Sequence, residues 1–152
     1  MSLYEMIGDI PLFRNFSVEE RKMFAKMEHS VLAYNKGEAV IKEGENYTSL
    51  YLLIRGSAQV TKAGYDSPVA LLKAGSVFGE ISFLTRRARQ SNVIAEENIL
   101  VIKIDDDFFS KLDLAMRDKI KNYLIELLAS RLDSMNEALS KIARYARGYA
   151  VL

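Results

Sequence analysis

Behind the tetrad Ser17-Val18-Glu19-Glu20, apolar side chains fall at Met23, Phe24 and Met27, the spacing of one face of a short helix. The tetrad has the Ser-x-x-Glu form of a capping box, in which Ser17 and Glu20 satisfy exposed backbone donors reciprocally. Pro11, Leu12 and Phe13 precede it as an apolar lead-in. Between residues 30 and 104 the period changes. Short β-rich runs occur at Val31–Tyr34, Ala39–Lys42, Leu50–Ile54, Ala58–Lys62, Val69–Lys73, Val93–Glu96 and Ile99–Ile104, punctuated by Gly37, Gly44, Gly56, Gly64 and Gly75. Many short strands at regular spacing, with no long helical pattern between them, predict an antiparallel β barrel or jelly roll and argue against a βαβ fold.

Helical signals return after Ile104. Asp105, Asp106 and Asp107 cluster where acidic residues cap a helix and favour the positive end of its dipole, and Phe108, Phe109 and Leu112 supply an apolar face. The longest helical pattern then runs from about Leu114 to about Tyr145 and carries two stripes. Ile120, Leu124 and Leu127, with Tyr123 beside them, are expected to cover the β core. Ile125, Leu128, Leu132, Met135, Leu139, Ile142, Ala146 and Tyr149 follow gaps that alternate between three and four, the repeat of a two-stranded coiled coil. At 1.5 Å per residue this helix is about 45 Å long, more than a small β core can cover. A homodimer through the C-terminal helix is therefore expected, since an uncovered stripe of this size is a liability on a monomer. The reading is one domain over residues 1–152: an N-terminal helical segment (1–28), a β-roll (30–104) and C-terminal helices (105–147).

Composition narrows the function classes. The 152 residues are 49% hydrophobic and 27% charged, with a net charge of +1, which gives no global electrostatic reason to expect nucleic acid or an anionic membrane as partner. No apolar run approaches the roughly 20 residues of a membrane span. Residues Met1–Asp9 lack the layout of a secretory signal, so a cytoplasmic location is expected. The absence of cysteine excludes disulfides, thiolate catalysis and cysteine-held clusters. A single histidine, His29, leaves a metalloenzyme to rest almost wholly on carboxylates, and no metal site or catalytic residue is assigned.

The stretch richest in candidate chemistry runs from Gly75 to Ser91. Gly79 permits an unusual backbone angle or a close ligand approach. The residues from Glu80 to Leu84 suit one short helical turn whose first N–H groups can face an anion. Arg89, nine residues after Glu80, has a planar guanidinium suited to phosphate. A carboxylate for sugar hydroxyls, an arginine and free N–H groups together describe a sugar-phosphate receptor. The same Glu and Arg are also compatible with a surface ion pair.

Context favours the receptor. The run from Asn35 to Glu45, the run from Ser49 to Val60, and Phe78-Gly79-Glu80-Ile81-Ser82-Phe83-Leu84 followed by Arg89 resemble the cyclic-nucleotide-binding domain family, over almost the whole chain from Ile10 to about Ile142. That family includes the catabolite activator protein, protein kinase A regulatory subunits and nucleotide-gated channels. The resemblance implies a phosphate-binding cassette from Phe78 to Ser91. Glu80 would hold the ribose 2′-hydroxyl and Arg89 the cyclic phosphate, with the amides of Ile81 and Ser82 completing the cradle. Val60, Val69 and Phe78 match positions around the base, and Met135 and Asn136 match helix positions that reach adenine in the catabolite-activator branch. Of these two, Asn136 can bond a purine edge.

Two departures stand out: Gln90 and Asn92 occupy positions where the family favours small or hydroxyl residues. Gln90 can reach the ligand or obstruct the pocket. The missing hydroxyl after Arg89 favours cyclic AMP over cyclic GMP. Arg86 and Arg87 add positive charge near the pocket. The expected protein is thus a ligand sensor without a cofactor, not an enzyme, its alternative being a dimerisation scaffold that has lost nucleotide binding. A cupin-like metal enzyme shares the strand pattern but needs more histidines. No helix-turn-helix follows the long helix, and Arg144 and Arg147 are too few to read DNA. The output is therefore expected from an effector protein or from the remainder of a longer chain.

Overall fold

A computed structural model of the chain describes residues 2–28 and 30–151, together with the side chains of all of these except Ser30, Tyr149, Ala150 and Val151. His29 and the side chain of Tyr149, the last position of the predicted coiled-coil stripe, lie outside the described residues. Helix α1 (Leu3–Ile7), a 3-10 turn (Pro11–Phe13) and α2 (Val18–Lys26) lead into strands β1 (Ser30–Tyr34), β2 (Ala39–Ile41), β3 (Leu50–Arg55), β4 (Ser57–Thr61), β5 (Ala70–Lys73) and β6 (Val77–Phe78). Helix α3 (Glu80–Thr85), β7 (Asn92–Ala95), β8 (Ile99–Ile104), α4 (Asp106–Lys111) and α5 (Leu114–Val151) follow.

The strands form two antiparallel four-stranded sheets, in the orders β1-β8-β3-β6 and β2-β7-β4-β5. The mainly β roll with flanking helices is as expected, but the sheets do not close into a barrel. Strand β3 shows why the layers stack as they do. Its side chains alternate faces, and both faces are buried. Leu50 and Leu52 join Ile102, Ile104 and Val77 under the helices, while Tyr51 and Leu53 face the second sheet with Phe78, Val101 and Ile99. A strand covered on both sides reads as an unbroken apolar run, which is how residues 50–54 appear in the sequence.

The helical layer is built from caps and aromatic contacts. Ser17 Oγ accepts from the Glu20 N–H at 3.0 Å and the Glu20 carboxylate accepts from the Ser17 N–H at 2.8 Å, the predicted capping box. Phe13, Phe24 and Phe108 meet edge to face at centroid distances of 4.7 and 5.4 Å. Asp105 caps α4 through the Phe108 N–H (2.8 Å), and Asp113 does the same for α5 through Met116 (2.8 Å). Two elements were not anticipated. Helix α1 starts from Ser2 with its own Ser-x-x-Glu box to Glu5, a signal present in the sequence. Strand β6 is two residues long, too short to show a period.

Helix α5 divides in two. Ile120 and Leu124 are fully buried and Tyr123 packs half-buried against the core, as the first stripe predicts; Met116 joins them in the core, and Leu127 is half-buried. From residue 129 to residue 148 every side chain is exposed. Replacing Leu124 with alanine should therefore destabilise the fold by about 2–5 kcal/mol in urea unfolding followed by circular dichroism, through lost transfer energy and the cavity left behind.

Candidate functional site

The site is assembled where the two sheets meet α3. Pairing of β6 with β3 sets Phe78 opposite Tyr51, and the two rings stack at 5.3 Å and 11°. The chain then turns through Gly79, at φ 80° and ψ 12°, a left-handed conformation that glycine adopts without strain. A side chain there would also collide: a Cβ on residue 79 would lie 2.9 Å from Arg89 Nη1 and 2.9 Å from the Ser49 carbonyl oxygen. Past this turn α3 begins at Glu80, and its first N–H groups have no acceptor within the helix. A cavity of about 570 Å³ opens here, its polar side formed by Gly79, Glu80, Ile81, Ser82, Arg89, Gln90 and Ser91. Its apolar walls include Ile41, Val60, Leu72, Phe78 and Val93.

Arg89 is buried, with 4% of its surface exposed. Its Nη2 donates to the Ser49 carbonyl at 2.7 Å and its Nη1 to the Gly79 carbonyl at 3.0 Å. The backbone is fixed as well: its N–H donates to the Glu45 carbonyl (2.8 Å), and its carbonyl accepts from the Gly44 N–H (2.9 Å). The guanidinium carbon stands 6.0 Å from the Tyr51 ring centroid. Among the described residues it forms no ion pair. Burial pulls its pKa below the usual arginine value, against the opposing pull of Tyr51, Glu45 and Glu80, and burial pushes the Tyr51 phenol up. Its hydrogen bonds go to two neutral carbonyls and no carboxylate among the described residues is in ion-pair contact with it, and a buried cation is costly unless paired.

Glu80 is also buried, at 5% exposure, and its Oε1 is paired with Nη1 of Arg131 on α5, whose side chain is half-exposed. Sequence reading missed Arg131. The available signal was its place one helical turn before Met135, on the face already suspected of reaching the ligand. The contact ties the long helix to the cavity.

The other predicted residues divide. Val60, Phe78, Gln90 and Ser91 line the cavity. Gln90 Nε2 turns back to donate to the Ala88 carbonyl at 3.2 Å. Two expectations are corrected. Val69 lies just before the edge strand β5, is 47% exposed and does not line the cavity, where Ala70, Leu71 and Leu72 appear in its place. Asn136 lies on the exposed part of α5, beyond the point where the helix leaves the core, and does not line the cavity either; Met135 is 62% exposed. Asn92 serves the framework: its Oδ1 accepts from the Glu43 N–H at 2.8 Å and its Nδ2 donates to Thr61 Oγ1 at 3.3 Å. Arg86 points away from the cavity, onto Asp106. Among the described residues no group of three His, Cys, Asp or Glu is placed to hold a metal ion, and no helix is long and apolar enough to cross a membrane.

Two stacked sheets with this turn, short helix and buried arginine define a class of ligand-binding roll, and comparison with known proteins identifies it. Residues 31–114, more than half of the chain, match the family of the cyclic nucleotide-binding domain, and the chain belongs to that family. It is similar to the cAMP-dependent protein kinase regulatory subunit of Yarrowia lipolytica, 34% identical over 121 residues that make up 79% of this chain and 32% of that protein. The chain thus spans about a third of the length of that relative. Among solved structures, the catabolite activator protein of Thermus thermophilus superposes with a TM-score of 0.75 at 25% identity, over 88% of this chain and 63% of that one. The regulatory domain of Toxoplasma gondii PKA, crystallised with cAMP, shares the fold with a TM-score of 0.66 at 21% identity, over 81% of this chain and 48% of the other.

The geometry at Gly79 yields a direct test. Gly79→Ala forces a side chain into the left-handed region and against the Arg89 guanidinium. It should lower the stability measured by urea unfolding by about 1–3 kcal/mol.

Proposed function

We propose that this chain is a sensor of cyclic nucleotide, cyclic AMP ahead of cyclic GMP, acting as a binding module and not as an enzyme. The observation that carries the reading is Arg89: a guanidinium with 4% exposure, held by carbonyls alone, at the wall of a cavity of about 570 Å³. A cyclic phosphate supplies the missing anion. Charge-assisted hydrogen bonds from Arg89 and from the α3 amides of Ile81 and Ser82 would hold it. Glu80 accepts from the ribose 2′-hydroxyl, and Val60 and Phe78 pack against the base. The presence of cAMP with a structural relative and the name of the Yarrowia relative agree with this ligand. The absence of a hydroxyl at position 90 favours adenine over guanine.

The signal leaves through α5. Arg131 is bound to the same carboxylate that the ribose engages, so ligand and helix share one group. A ligand shifts the arrangement of α5 only by its differential affinity for the two states, and Glu80 is where that difference arises. The exposed half of α5 carries Leu132, Met135, Leu139 and Ile142, each about 60% exposed, at coiled-coil spacing. We assign this stripe to a homodimer, with an effector protein or an output domain downstream.

Calorimetric titration with cyclic AMP and cyclic GMP tests the sensor. Saturable binding, tighter for cyclic AMP, is expected, and Arg89→Ala should weaken it by about 100-fold or more, because the phosphate loses its buried charged partner. A folded protein that binds neither nucleotide overturns the reading and leaves a scaffold. For the dimer, sedimentation analysis should find two chains in the wild type and one in Leu139→Asp, which places a charge in the stripe. A wild type that stays monomeric at about 100 μM removes the dimer from the proposal.

A further inference from the structure

Arg86 follows the last residue of α3 and is the only non-glycine among the described residues with a positive φ, at φ 63° and ψ 16°. Glycine takes this left-handed angle freely and is the usual residue just past a helix C-terminus. An arginine held there is strained, and such strain persists where a side chain is needed at that place. Here one end of the guanidinium is engaged. Its Nη1 lies 3.0 Å from Thr48 Oγ1 and 2.8 and 2.9 Å from the two carboxylate oxygens of Asp106, in the first turn of α4. Its Cζ stands 5.9 Å from the Phe83 ring centroid.

Stability alone does not account for this arrangement. Arg86 and Asp106 are 56% and 59% exposed at their side chains, and an ion pair that open to water contributes little. Its placement is more telling. Phe83 of α3 meets Phe109 of α4 edge-on at 5.2 Å, and Lys121 of α5 lies 5.6 Å from the Phe109 ring centroid. Thr48, which holds Arg86, directly precedes Ser49, whose carbonyl holds Arg89. The two arginines thus anchor opposite ends of the segment after α3 to neighbouring residues, one inside the cavity and one outside it. Apolar rings can slide over each other, whereas a charged nitrogen held at once by a hydroxyl and a carboxylate fixes direction.

We infer that Arg86 is a positioning residue that couples the cavity segment to α4, and through Phe109 and Lys121 to α5. The inference rests on the sensor reading above and adds to the Glu80–Arg131 contact a second route, by which the signal reaches α4. It is tested by amide hydrogen exchange on the full chain with and without cyclic AMP, in wild type, Arg86→Gly, Asp106→Asn and the double variant. Glycine relieves the backbone strain, so Arg86→Gly should keep its Tm within about 2 °C of wild type or raise it. Its affinity for cyclic AMP should stay within about 3-fold. The ligand-dependent slowing of exchange over residues 106–111, present in wild type, should be lost in both single variants, while the slowing over residues 79–85 is kept. Persistence of the α4 response in Arg86→Gly overturns the coupling. Should wild type bind no nucleotide, the sensor reading fails on its own and the ligand-free samples decide. Each single change should then speed exchange in α4 with no further increase in the double variant, and additive effects or none would sink the proposal.

Discussion

The guanidinium of Arg89, buried on the carbonyls of Ser49 and Gly79, is the contact on which the cavity depends. Together with the main-chain bonds from Arg89 to Gly44 and Glu45, it draws three separated parts of the chain onto one residue. The arrangement dictates its own surroundings. Residue 79 must lack a Cβ, because both the guanidinium and the Ser49 carbonyl stand where that atom would go. The hydrogen bonds of the guanidinium go to neutral carbonyls, and the carboxylates of Glu45 and Glu80 act on its charge only at longer range. An arginine suits this position better than a lysine: its planar fork serves two fixed carbonyls at once and is less strongly hydrated when taken from water.

Strand β3 makes that contact permanent. Leu50 and Leu52 bind the helical layer and Tyr51 and Leu53 bind the second sheet, so the strand belongs to both cores at once. Ser49 and Thr48 lie at its entry, and its pairing with β6 delivers Phe78 and then Gly79. The cavity side of the molecule is thus hung from a strand buried on both faces, between sheets that do not close. An open roll leaves room for a ligand that a small closed barrel would fill with side chains.

The long helix joins this rigid part to a free one. Its first half supplies Met116, Ile120 and Leu124 to the core, and the side chains from residue 129 to residue 148 are exposed. Arg131 stands at the border, paired with Glu80 inside and followed at once by the exposed Leu132. One turn of helix therefore separates the buried carboxylate from the stripe assigned to a second copy. A single side-chain contact thus joins Glu80 to the root of that stripe.

Much of this was legible in the sequence because its causes are local. The Ser17–Glu20 box, the Asp105 cap, the short helix after Gly79 and the two stripes of α5 depend on residues three or four apart, and the structure contains each of them. The Ser2–Glu5 box was equally local and simply overlooked. Family resemblance placed Glu80 and Arg89 at one cavity, which spacing alone left open beside a surface ion pair. What spacing cannot carry is partnership across the chain. That Glu80 pairs with a residue 51 positions away, that Val69 turns outward while Leu72 turns in, and that Asn136 stands clear of the cavity all follow from where α5 leaves the core and how β5 registers on β4. The same holds for Arg86, whose run of residues suggests charge near an anion but whose guanidinium is taken by Asp106. The sequence by itself determined the elements and their caps, since these arise from short-range periodicity and backbone preference, and its resemblance to a family indicated which residues share one cavity. The tertiary structure decided which charges meet, which stay unpaired, and that the sheets remain open, since those outcomes depend on distances that only packing creates.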